Sequence, residues 1–268
     1  MRRYFDAHCH IAFEAFDQKE MDTLLEEASV GGIVVGVNTK ESQQAFAYAQ
    51  THPAFVASVG HHPCYTNEPI EIETLKELAE SPQVVAIGEC GLDYFHKPKE
   101  EVFEIQEQYF KQQWLLAKEV GKPLMIHCRP SKGSIDDAYR DLAELLDHYE
   151  AEHGIGPHVH LHFFVGSPSV VELFLKRASS LSFSGVVTFA REYENTVRSV
   201  PADRLLVETD SPYAAPIPVR GTVNNPSTIP YIVKWIANLR DSDEGHIERV
   251  VRDNARRIFN LPEDFPLH

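Results

Sequence analysis

Long apolar runs are missing from this sequence. No stretch approaches the roughly 18 consecutive apolar residues of a membrane span, which excludes one. The start, Met1-Arg2-Arg3-Tyr4-Phe5, has no apolar run behind its arginines and reads as lacking a secretory signal. Cations are scarce too: 25 Lys+Arg against 40 Asp+Glu leave a formal charge of −15. Such a field repels polyanions, so a protein that coats nucleic acid or anionic membranes is excluded, although a local cationic site could still take a phosphate. There are only four cysteines, Cys9, Cys64, Cys90 and Cys128, at no zinc-finger spacing. They read as reduced thiols of a cytoplasmic protein. Linkers, low-complexity segments and repeats are absent. What remains, 43% hydrophobic and 24% charged, is enough apolar material to fold, and one domain over 1–268 is expected.

What is present is a recurring unit: a short apolar run, a polar loop, then a helix-like stretch. The runs are Tyr4–His8, Gly32–Val37, Phe55–Gly60, Val84–Gly88, Leu124–His127, His158–His162, Leu181–Ser184 and Leu205–Glu208. They are rich in β-branched or aromatic residues and of strand length. Helices are expected over Glu101–Val120, with Gly121 as its stop, and over Ile135–Tyr149. Eight strands alternating with helices predict an α/β fold, a (β/α)8 barrel. A doubly wound open sheet is the alternative, weakened by the missing Gly-rich dinucleotide fingerprint.

Barrels of this kind carry their chemistry at the C-terminal ends of the strands. Strand one ends in His8-Cys9-His10, whose two imidazoles share a face because they are two residues apart. Strand four ends in Glu89 between Gly88 and Gly91; a carboxylate there is costly unless paired or ligating, and its two oxygens suit it to bridging two cations. Strand five ends in His127, two residues before Arg129. Strand six places His158, His160 and His162 on one face, and strand eight runs out to Asp210. Any one of these has a plain explanation: a hydrogen-bonded histidine, a turn aspartate, an arginine in an ion pair. Five strand ends of eight do not. Four imidazoles and two carboxylates suit one or two borderline divalent ions such as zinc, manganese, cobalt or nickel; magnesium prefers oxygen ligands and is less natural here. Cys9, Cys90 and Cys128 each follow a proposed ligand, so strand alternation turns them toward the helix layer as small packing residues.

At this point the motifs resemble a known family, the TatD-type metal-dependent deoxyribonucleases of the amidohydrolase superfamily. The resemblance rests on Asp6-Ala7-His8-Cys9-His10, Gly60-His61-His62-Pro63, Gly88-Glu89-Cys90-Gly91-Leu92-Asp93-Tyr94, His127-Cys128-Arg129, His162 through Ser167, Glu208-Thr209-Asp210-Ser211-Pro212-Tyr213 and Asn254 through Phe259. It implies His8, His10, Glu89, His127, His162 and Asp210 as metal ligands, with Glu89 bridging, and His62 as a phosphate donor. Departures are Ala12-Phe13, Pro130 through Gly133, Val165 and Asn225. None touches the ligand set; they bear on substrate choice.

For a phosphodiester, this implies hydrolysis by water activated between two ions about 3.5–4 Å apart. Asp210 would accept the proton, and Arg129 and His62 would face the phosphate. The expected substrate is a nucleic-acid end, since a chain at −15 should not hold duplexes tightly. No membrane partner is expected, and a monomer or weak oligomer is. Two other readings stay open: an amidohydrolase acting on an amide, lactone or deaminase substrate, and a metal-binding protein without turnover.

Overall fold

The computed structural model describes residues 3–11 and 17–267. Ala12-Phe13 and the Met1-Arg2 pair lie outside the described residues. Eight parallel strands follow one another in order around a sheet: β1 (Tyr4–Cys9), β2 (Val30–Val35), β3 (Phe55–Val59), β4 (Val84–Asp93), β5 (Leu124–Arg129), β6 (Val159–Leu161), β7 (Ser179–Phe183) and β8 (Leu205–Val207). The exit of β8 closes onto β1. The Asp210 N–H donates to the His8 carbonyl at 3.0 Å, and the His10 N–H to the Ser211 carbonyl at 2.9 Å. Asp6 adds a side-chain stitch, accepting the Thr209 N–H at 2.9 Å. The expected (β/α)8 barrel is the fold.

The strands are buried nearly throughout because helices cover their outer face and side chains fill the inside. Helices α1 (Gln18–Glu27), α2 (Thr39–Thr51), α3 (Ile72–Ala79), α4 (Lys99–Val120), α5 (Asp137–His153), α6 (Pro168–Phe174) and α7 (Glu194–Ser199) fill the crossovers, and α8 (Ile229–Leu239) and α9 (Glu244–Ile258) follow β8. In α4, Phe110, Trp114 and Ala117 form the buried stripe, and Gly121 ends the helix in the left-handed conformation, as its position in sequence suggests. The bounds of α5 are a correction: Ile135 is exposed and precedes the helix, which runs one turn past the buried Tyr149, to His153.

The larger correction is β4. Two glycines suggest a strand that stops at Gly88, yet β4 continues to Asp93. Gly88 and Gly91 are instead what lets β4 approach β5. A Cβ on either would sit 2.1 Å from a backbone carbonyl oxygen, that of Met125 or His127, and both have φ in the range that disfavours side chains, +141° and +134°. Cys90 therefore lies within a strand, buried like Cys9 and Cys128, as a packing residue.

Below the strand ends that carry His162 and Glu89 the barrel interior is polar and internally satisfied. Ser180 Oγ lies 2.9 Å from both His158 Nε2 and His160 Nδ1, and Ser182 Oγ 3.0 Å from His160 Nε2. The three histidines share one face, as strand alternation predicts. Burial, with Arg204 and Arg257 nearby, pushes His158 down to about 4. An unfolded histidine titrates near 6.5. Between those values the unfolded chain binds the extra proton, so stability falls as pH drops from 6.5 through 4. The full gap is worth roughly 3 kcal/mol. His158→Gln should lose less melting temperature than wild type between pH 7 and pH 4.5 in calorimetry. Identical pH dependence in the two would show that His158 does not set the acid limit.

Candidate metal centre

Six strand ends deliver side chains to one point at the barrel mouth, and Glu89 is its centre. Glu89 Oε1 lies 2.8 Å from His162 Nε2, 2.9 Å from His127 Nδ1 and 3.3 Å from His62 Nε2. Its other oxygen, Oε2, faces β1, at 3.4 Å from His8 Nε2 and 3.8 Å from His10 Nε2. Asp210 Oδ1 closes that side, 3.7 Å from each of the same two nitrogens. The carboxylate thus separates two bays, one of His8, His10 and Asp210, the other of His62, Glu89 and His127. All six residues expected as ligands are brought together, and His62 with them.

The far nitrogen of each ring decides what the near one offers. His10 Nδ1 lies 3.1 Å from the Val35 carbonyl, which accepts only if Nδ1 carries the proton. His127 Nε2 lies 3.0 Å from Asp93 Oδ2, and His162 Nδ1 3.3 Å from Glu208 Oε1. In all three an acceptor fixes the outer N–H and leaves the inner nitrogen as a lone pair aimed at the centre, the arrangement that orients metal-ligating histidines. His62 is set the other way: its Nδ1 accepts the Cys64 N–H at 3.1 Å, so in the neutral ring Nε2 carries the proton and is a donor. His8 Nδ1 is buried without a hydrogen-bond partner.

Lone pairs in contact with carboxylate oxygens repel unless a proton or a cation lies between them. The titration of the rings registers this. Burial opposes charge on His162, yet Glu89 and Glu208 outweigh it and raise the ring well above its usual range. His127 is raised in the same way, against burial, by Asp93 and Glu89. Burial would lift Glu89, but His162, His62 and His8 hold it well below the usual carboxylate range. Burial and His127 push His62 down to about 4, a neutral donor at pH 7. The donor set fits a borderline divalent ion. The 3.0 Å between His8 Nε2 and His10 Nε2 is close to the edge of about 3.3 Å that two nitrogens span when each lies about 2.0–2.1 Å from a tetrahedral ion.

Arg129 stands outside the ring. It is exposed, its guanidinium lies 3.8 Å over the Phe95 ring, and it makes no ion pair among the described residues, so the expected alternative of a salt bridge is not what holds it. It still lines the same cleft, with His62 and Lys132. Sequence reasoning missed the orienting residues. Asp93 follows Glu89 at the strand period, a signal lost once the strand was ended at Gly88. Glu208 stands two residues before Asp210 and is fully buried; it accepts the Phe163 N–H at 2.7 Å and a hydrogen bond from Ser182 Oγ.

Among the described residues no helix is long and apolar enough to cross a membrane. Comparison with known proteins follows the same residues. The chain is 34% identical to a protein of Bacillus subtilis named as the uncharacterised metal-dependent hydrolase YabD, over 96% of this chain and 99% of that one. It is also 34% identical to the 3'-5' ssDNA/RNA exonuclease TatD of Erwinia tasmaniensis, over 92% and 95% of the two chains. The crystal structure of YjjV, a TatD homologue of Escherichia coli K12, superposes with a TM-score of 0.85 at 25% identity, covering 97% of this chain and 99% of that one. The family described as TatD related DNase matches residues 5–260. On that match, and with these relatives, the chain belongs to the TatD related DNase family and is a hydrolase.

Proposed function

We propose that the protein is a divalent-metal-dependent phosphodiester hydrolase acting on single-stranded nucleic-acid ends, with His8, His10, Glu89, His127, His162 and Asp210 holding two ions. The observation that supports it is Glu89, one buried carboxylate with different imidazoles at its two oxygens. Divalent ions in these bays would supply Lewis acidity, lowering the pKa of water and offsetting charge on a phosphoryl group. Asp210 is the proton acceptor. Its side chain is 15% exposed against 4% for Glu89, so it is the carboxylate that water reaches. His62 donates its Nε2–H to a phosphate oxygen, and Arg129 adds a cation at the outer wall. Relatives named as single-stranded exonucleases favour an end over an interior bond, and the charge of −15 agrees with short rather than extended contact.

The test is one preparation purified without chelator. Elemental analysis should find one to two divalent ions per chain. An end-labelled single-stranded oligonucleotide should be shortened from its terminus, with activity lost on chelation and restored by manganese or zinc. An intact oligonucleotide at full metal content, or turnover confined to amide or lactone substrates, would overturn the proposal.

A further inference from the structure

Beyond the groups around Glu89, Cys64, Asp93 and His96 form another set of ligand-type side chains at the cleft. Cys64 comes from the loop after β3, Asp93 from the last residue of β4, and His96 from the turn that follows. His96 Nδ1 lies 3.1 and 3.2 Å from the two Asp93 oxygens and 3.6 Å from Cys64 Sγ. The three ligand atoms fall within 4.8 Å of one another. Two features hold Asp93 in place independently of any ion. Its Oδ1 accepts the N–H groups of Phe95 and His96 at 2.9 and 3.1 Å, and its Oδ2 lies 3.0 Å from His127 Nε2.

We propose that Cys64, Asp93 and His96 form a further divalent-metal site, of the zinc type, on the wall of the same cleft. The spacing is that of ligands sharing a tetrahedral ion: with bonds of about 2.3 Å to sulfur and about 2.0 Å to nitrogen, the sulfur–nitrogen edge is about 3.5 Å. The chemistry selects the ion. A thiolate with an imidazole and a carboxylate favours zinc or cobalt over magnesium or calcium. Binding replaces the thiol proton, which leaves to solvent. Three protein ligands leave a fourth position open, as in sites that take water or a substrate oxygen rather than closed structural ones. Cys64, Asp93 and His96 all line the cleft that contains Glu89, so an anionic oxygen of a bound ligand is the natural fourth partner. Asp93 also joins the two places physically, since its other oxygen orients His127.

This inference stands apart from the proposed phosphodiesterase activity, and sulfur makes it separately testable. The groups around Glu89 offer only nitrogen and oxygen, and Cys9, Cys90 and Cys128 are buried, whereas Cys64 is exposed. Metal-free wild type is titrated with Co(II) and followed by absorption, alongside Cys64→Ser and His96→Asn. The expected result is a near-ultraviolet sulfur-to-cobalt band in wild type that is absent from Cys64→Ser and at least tenfold harder to saturate in His96→Asn. Cobalt bound to wild type with visible absorption but no sulfur band overturns the further site and leaves the Glu89 centre standing. A sulfur band that survives in Cys64→Ser assigns the thiolate elsewhere and also overturns it. Cobalt bound nowhere overturns both readings.

Discussion

Asp210→Asn should keep its fold and much of its metal and lose turnover by about 10²–10⁴-fold, the usual worth of a general base. The substitution keeps one oxygen and the side-chain size but removes the proposed proton acceptor. His8, His10 and Glu89 still surround the same bay, with 3.0 Å between the two Nε2 atoms and 3.4 and 3.8 Å from them to Glu89 Oε2. The Asp210 backbone is also held by its own N–H to the His8 carbonyl, which the amide variant retains. Metal content, thermal unfolding and oligonucleotide hydrolysis measured on one preparation separate the roles. Activity that falls only in proportion to lost metal would make Asp210 a ligand alone. Full activity at full occupancy would assign the base to another group.

The second large effect is structural. Gly88→Ala should destabilise the protein by about 3 kcal/mol or more, because the added methyl overlaps backbone that has no room to retreat. Its Cβ would meet the Met125 carbonyl oxygen at 2.1 Å, and on the other side Gly60 packs against the Gly88 backbone. Any shift that relieves the overlap moves Glu89, the next residue, away from five imidazoles, so activity should fall with stability. Gly121→Ala is the control. It also has positive φ, +68°, but nothing lies within 4 Å of a Cβ there, so only the local backbone cost of about 1–2 kcal/mol applies. Urea unfolding of the two variants decides the matter. Equal losses would mean that the close approach of β4 to β5 is not what requires glycine at 88.

Strand periodicity was the most legible feature, because parallel barrel strands are apolar on both faces and stand out as runs. Boundaries were less so. Gly88 and Gly91 look like breakers to a local reading, and only the proximity of β5 shows that they extend the strand. That error hid Asp93, which supports His127 and belongs to the Cys64 cluster. Arg129 was found by its spacing from His127, but spacing does not say that its guanidinium would rest on Phe95, a residue from another loop.

Residue type and position at the strand ends pointed, from sequence alone, to the barrel, the layer at its mouth and the six side chains there. Of these six, alternation pairs only His8 with His10, and His162 with His160; His10, His162 and Asp210 lie past the ends of β1, β6 and β8, so their convergence belongs to the fold. Only the tertiary structure decided how those rings are used. Which nitrogen of His10, His127 or His162 carries the proton depends on Val35, Asp93 and Glu208. Of these, Val35 and Glu208 lie 25 and 46 residues from the rings they orient, and Asp93 lies 34 from His127. No local pattern encodes a partner brought in by another strand, so the candidate side chains are written in sequence while their tautomers are written in the fold.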